Sequence, residues 1–189
     1  MTVTYNSPVI LSFSIIIVFI HLLNVLFFPG LTYTFFTVKP QMSLLNPIDY
    51  LRLILHVLGH GSWEHLFNNV IYLLLLGPIL EEKYGSPTIL TMIVITALSA
   101  GIVNVLLFST GLMGASSIVF MLIILISIVD IKEGTIPVTF LLVATIFIGR
   151  ELINALHEDN ISQAAHIVGG SLGAFFGFYW KKRVKNITQ

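Results

Sequence analysis

The chain contains no cysteine, so it has no disulfide, no thiolate nucleophile and no cysteine metal site. Charge is nearly as scarce. Only 10% of its 189 residues are Asp, Glu, Lys or Arg, where a soluble domain carries about 25%. Too little polar surface is available to cover a water-soluble globule. The 9 basic and 9 acidic residues leave a net charge of +0, so nothing suggests nucleic acid as a partner. Repeats and low-complexity tracts are also missing, and residues 1–189 read as one domain. No basic region and no small-residue cleavage site marks the N-terminus, so Leu11 to Phe28 reads as a retained span and not as a removed signal.

What is present is apolar. Hydrophobic residues make up 56% of the chain and the mean hydropathy is +0.96, which places it among integral membrane proteins with the lipid bilayer as partner. A spanning helix needs about 20 mostly apolar residues. Six segments are candidates, at roughly 8–29, 63–80, 88–108, 116–129, 136–156 and 164–180, with Gly30, Gly85, Gly111 and Gly134 punctuating the joints. The expected architecture is all-α, a polytopic bundle of six transmembrane helices. The one long connection, Leu31 to Gly61, holds "NPIDYLRLILHVLG", too short and too mixed to span. It is expected to be partly helical and to lie in the interface.

Lysine and arginine set the orientation. With six spans, Lys83, Lys132, Lys181, Lys182, Arg183 and Lys185 share one side, and Lys39, Arg52 and Arg150 the other. The richer side is cytoplasmic, so both termini are expected in the cytoplasm of a plasma (inner) membrane.

Depth then groups four polar residues. A helix rises about 1.5 Å per residue. Taking Glu81, Asp130 and Lys181 as inner ends, Ser116 lies roughly 21 Å above the inner boundary, His166 roughly 22 Å, Asn69 roughly 18 Å and His65 roughly 24 Å. With a hydrocarbon core about 30 Å thick, all four sit at one level below the outer surface; Asn24 of the first span falls near it too, and chemistry separates the four. The short fourth segment then starts inside the membrane, and "FSTGLMGA" leads down to it as a loop lining a cavity open to the outer face. Ser116 heads a helix, where free N–H groups and the dipole favour an anion. His166 is a candidate base. His65 and Asn69, spaced i, i+4, face the same way. Nucleophile, base and oxyanion donors are the parts of an acyl-transfer site. Taken singly, Ser116 is a helix cap and His166 or Asn69 interhelical glue. Ser117 and Asn68 are the neighbouring competitors. His60 is either a partner behind the site or an interface histidine. Glu81 is expected to fix the loop after the second span, and His21, Asn24 and Asn104 to pair within the bundle.

These motifs resemble the rhomboid family of intramembrane serine proteases. They are His60, His65 and Asn69 at the head of the second span; Gly114-Ala115-Ser116-Ser117 at the head of the fourth; His166 with Gly169, Gly173 and Gly177 in the sixth; and Glu81 followed by Gly85. The resemblance covers roughly His56 to Trp180. It implies a Ser116–His166 dyad, oxyanion stabilisation by His65, Asn69 and the Ser116 backbone N–H, and no cofactor and no metal. The implied substrates are transmembrane segments of membrane proteins, with a small residue before the cut. Three features depart from the family pattern: Ser117 replaces a glycine, Phe120 stands where tyrosine is frequent, and the Trp-Arg pair of the first outer loop is absent. Two alternatives stand beside this reading. One is a catalytically inactive rhomboid-like binder of transmembrane helices. The other is a metal-dependent membrane enzyme or transporter built on His56, His60 and His65, although "HVLGH" lacks the glutamate of the His-Glu-x-x-His pattern.

Overall fold

The computed structural model describes residues 5–129, 136, 138–155 and 160–185, and every regular element among them is helical. The elements are α1 (Pro8–Leu26), α2 (Leu31–Phe35), α3 (Pro47–Leu55), a 3₁₀ turn (His56–Leu58), α4 (Trp63–Tyr84), α5 (Ser86–Leu107), α6 (Ser116–Ile128), α7 (Val138–Ala155) and α8 (Asn160–Lys185). A helix thus lies in each of the six expected segments. The length and apolarity to cross a membrane unaided are met, among the described residues, by α1 and α5. Glu64, His65, Asn68 and Asn69 at one end of α4, and Glu81 and Glu82 at the other, dilute its apolar run. α6 is apolar but has only 13 residues. Asp130, taken as the inner end of the fourth span, lies outside the described residues.

Polar and apolar residues are distributed inside out. Ser14, His21, Asn69, Glu81, Thr96 and Asn104 are buried, while Ile15, Phe19, Leu75, Ile79 and Leu106 are each more than half exposed. Water would penalise such a continuous apolar surface; lipid does not. Beneath it, Ile17, Leu66, Leu73, Leu80, Met92, Ile118, Leu122 and Leu125 form one core linking α1, α4, α5 and α6.

The ends of these helices are tied by specific groups. The Glu81 carboxylate accepts from the Val9 and Ile10 amides at 3.0 and 2.9 Å, capping the free N–H groups of α1, and from Ser86 Oγ at 2.7 Å, which holds the α4–α5 turn. At the other end of α4, Ser62 Oγ accepts from the His65 N–H at 3.1 Å, an N-cap worth about 1 kcal/mol. Asn24 Oδ1 accepts from the Thr32 N–H at 3.0 Å, and Asn104 Nδ2 donates to the Thr110 carbonyl at 3.0 Å. Each asparagine therefore ties its helix to the connection that follows it, and not to another long helix of the bundle as expected.

The 31–61 connection is partly helical, as its sequence implies. In α3 the usual polarity is reversed. Asp49 and Arg52 are buried while Leu44, Leu45 and Leu51 beside and within the helix are exposed, an arrangement suited to the interface. Arg52 pairs with Asp49 and donates Nε–H to the Thr34 carbonyl at 3.0 Å. Asp49 Oδ2 accepts from the Ser43 N–H at 2.9 Å. Burial alone would raise the Asp49 carboxyl; the Ser43 amide and Arg52 outweigh it and hold the group below its usual range.

α6 and α8 run parallel and touch backbone to backbone. A Cβ on Gly169 would collide with the Ser117 carbonyl, and one on Gly173 with the Met121 carbonyl. Gly177 meets only side chains, Ile128 and Leu125, at 3.2–3.5 Å.

Candidate active site at the head of α6

The turn before α6 carries three separate restraints. Val38 and Leu112 exchange backbone hydrogen bonds of 2.9 and 3.1 Å, pinning "FSTGLMGA" to the 31–61 connection. The Gly114 N–H donates to the His56 carbonyl at 2.9 Å. Gly114 itself has φ +115, and a Cβ there would lie 2.7 Å from His65 Nε2. Only glycine fits a left-handed residue pressed against an imidazole. His65 therefore borders the serine turn directly.

His60 joins this turn to Asn69. Its Nε2 lies 3.5 Å from the Ala115 N–H and 3.0 Å from Asn69 Nδ2. A backbone N–H only donates, so Nε2 is the acceptor and Asn69 must present its amide N–H. The His60 and His65 rings sit 5.0 Å apart, centroid to centroid. An accepting Nε2 carries no proton, so the His60 ring is neutral in this arrangement. Asn69 is buried and Asn68 exposed.

Ser116 is the first residue of α6 and is half-buried, whereas Ser117 is 1% exposed and its Oγ has no partner. Ser116 and Phe120 share a helix face. The His166 ring packs on Phe120 with centroids 4.1 Å apart, and His166 is half-buried. The imidazole thus faces the stripe that carries Ser116. The structure brings His65 and Asn69 to the serine turn through Gly114 and His60, and brings His166 to the same face through α8.

His56 points elsewhere. Its Nε2–H donates to the Ala97 carbonyl on α5 at 3.0 Å. His56, His60 and His65 do not converge, and among the described residues no three His, Asp or Glu side chains are placed to hold a metal ion. A cavity of about 690 Å³ between α4, α6 and α7, lined by Tyr72, Ile126, Ser127 and Thr139 among others, lies well below Ser116 and is not part of this site.

Two contacts were legible in the sequence only in outline. The bond from His60 to Asn69 crosses a non-helical stretch, so no periodicity could announce it. His21, on α1, donates to the His60 carbonyl; its one signal was a histidine in the middle of an apolar span.

Residues 47–183 match the family model described as Rhomboid domain. The chain belongs to the rhomboid family. It is also 27% identical over 141 residues to "Rhomboid protease GlpG" of Haemophilus influenzae, an alignment covering 73% of each chain. This rhomboid is accordingly an integral membrane protein, in keeping with its exposed apolar helix faces and buried polar side chains.

Proposed function

We propose that this rhomboid is an intramembrane serine endopeptidase that cleaves transmembrane segments of other membrane proteins. The observation that carries the reading is the serine turn: an accessible Ser116 at a helix N-terminus, bordered by His65, linked through His60 to the Asn69 amide, with His166 on the face that bears Ser116. Membership of the rhomboid family and the similarity to a relative named as a protease support it.

His166 accepts the proton of Ser116 as Oγ attacks the scissile carbonyl, then delivers it to the leaving amine. The oxyanion meets the Ser116 N–H, the second Asn69 amide proton and His65, donors fixed before charge develops. Water from the cavity hydrolyses the acyl-enzyme. No intramembrane carboxylate is placed by the sequence to orient His166, and packing on Phe120 takes that role. A regular helix hides its carbonyls, so a substrate must unwind locally at the cut; a small residue before the cut is expected from the family. Six helices, α1, α4, α5, α6, α7 and α8, cross the membrane as a single domain, with both termini cytoplasmic and the cavity open to the outer face.

The test is labelling of the detergent-solubilised protein with a fluorophosphonate probe alongside cleavage of a model transmembrane substrate. Wild type and Ser117→Ala should label and cleave; Ser116→Ala should do neither while keeping its fold. An unlabelled, inactive wild type would point to the alternative, a rhomboid that binds transmembrane helices without cutting them.

A further inference from the structure

We infer that His21 is a positioning residue for the Asn69 amide, acting through His60; the inference rests on the protease reading for its effect on turnover. α1 precedes the residues that match the family model, and nothing in the proposed chemistry uses it.

The stretch between the 3₁₀ turn and α4 is the weak point of the site. Gly59 and His60 are buried yet lie outside any helix. Backbone carbonyls in such a place need donors supplied from elsewhere. For His60 the donor is His21: Nδ1–H points to its carbonyl at 3.2 Å, from a residue 39 positions earlier on another helix. His21 is 2% exposed, and its ring meets Trp63 edge-on with centroids 4.5 Å apart. Trp63 is the first residue of α4, so the imidazole is wedged between the chain that carries His60 and the helix that carries Asn69. Nε2 is buried and has no partner. One nitrogen is engaged, and it is aimed at the residue that orients Asn69.

Two hydrogen bonds therefore connect α1 to an oxyanion donor. His21 Nδ1–H fixes the His60 backbone, and His60 Nε2 accepts one proton of the Asn69 amide, which sets the direction of the other. Catalytic groups must hold their geometry to about 0.5 Å, and a misplacement near 1 Å costs as much as about 100-fold in rate. Releasing the His60 carbonyl lets its ring drift and takes the Asn69 amide with it. Substrate binding, made along the length of a transmembrane segment, is left alone.

The experiment compares cleavage kinetics of wild type, His21→Phe, His21→Asn and His21→Gln, with His21→Phe repeated in the Asn69→Ala background. Asn carries an amide nitrogen where Nδ1 sits; Gln carries one nearer the place of Nε2. His21→Phe should lower kcat by about tenfold or more with KM unchanged. His21→Asn should recover most of the loss and His21→Gln should not. In the Asn69→Ala background His21→Phe should cause no further loss. Equal losses in both backgrounds, or Asn no better than Gln, would overturn the inference, and the Asn and Gln pair decides it even if the Phe variant fails to fold. The Asn69 side-chain amide resonance, followed in isotope-labelled protein, separates this inference from the reading beneath it. If wild type cleaves no faster than Ser116→Ala, the protease reading falls. A shifted Asn69 signal in His21→Gln but not in His21→Asn would still support positioning, and an unmoved signal in both would end it.

Discussion

Asn68 and Asn69 differ by one position and by about 100° around α4, and the fold sends them to opposite environments. Asn68 is exposed on the outer face of the helix; Asn69 is buried with its amide on His60. The proposed role of Asn69 is to donate to charge that exists only in the transition state, and such a contact shows in turnover more than in binding. Loss of one oxyanion donor costs about 10²–10³ in rate, or roughly 3–4 kcal/mol. Asn69→Ala should lower kcat by that factor in a substrate-cleavage assay, with KM and melting temperature little changed, and Asn68→Ala should stay near wild type. Damage confined to Asn68→Ala would mean that the catalytic face of α4 has been misread. The phase of α4 was legible in the sequence because His65 and Asn69 stand one helical turn apart. The part played by His60 was not, since it reaches the site across a bend where periodicity gives no direction.

The contact between α6 and α8 decides whether the proposed base, His166, can meet the proposed nucleophile, Ser116. Gly169 and Gly173 let two backbones touch, and Gly169 lies one turn below His166 on α8. The spacing of the three glycines announced a close approach in the sequence; that the approach is tightest at Gly169, beside the serine, is visible only in the fold. A methyl group at 169 has no space that a flexible side chain could yield, because the obstacle is the Ser117 carbonyl. Overpacking of this kind costs about 1–3 kcal/mol, occasionally more. Gly169→Ala should therefore lower the melting temperature and, by pushing His166 away from the Ser116 face, reduce cleavage far more than its stability loss explains. Gly177→Ala, where Ile128 and Leu125 side chains stand 3.2–3.5 Å away and can shift, should be mild in both assays. Comparable effects at both positions would remove the special standing of the upper contact. The 31–61 connection was less legible than the helices. Its helical stretch follows from Asn46 as cap and Pro47 at the first turn, but its anchorage depends on Arg52 reaching Thr34 and Asp49, a burial of charge that composition alone argues against.

At the scale of the whole molecule, scarcity of charge gave the class, and the few charges carry the proposed orientation. Six of the nine basic residues fall on the side of the second loop, the fourth loop and the C-terminus, and basic loops stay in the cytoplasm. The parallel course of α6 and α8, with Ser116 heading one and His166 in the first turns of the other, means that inverting the protein would turn the proposed site toward the opposite compartment. Orientation and the side from which water reaches the acyl-enzyme are thus one question. The absence of cysteine makes it directly measurable, since any introduced thiol is the sole reactive one. In intact cells, His157→Cys should be modified by an impermeant maleimide added outside. Lys83→Cys and a cysteine appended after Gln189 should react only once the membrane is opened. A fluorescent reporter fused after Gln189 should likewise mature in the cytoplasm. The reverse labelling pattern would turn the molecule over: the Lys/Arg bias would have failed, and the proposed site at Ser116 would draw its water from the cytoplasm.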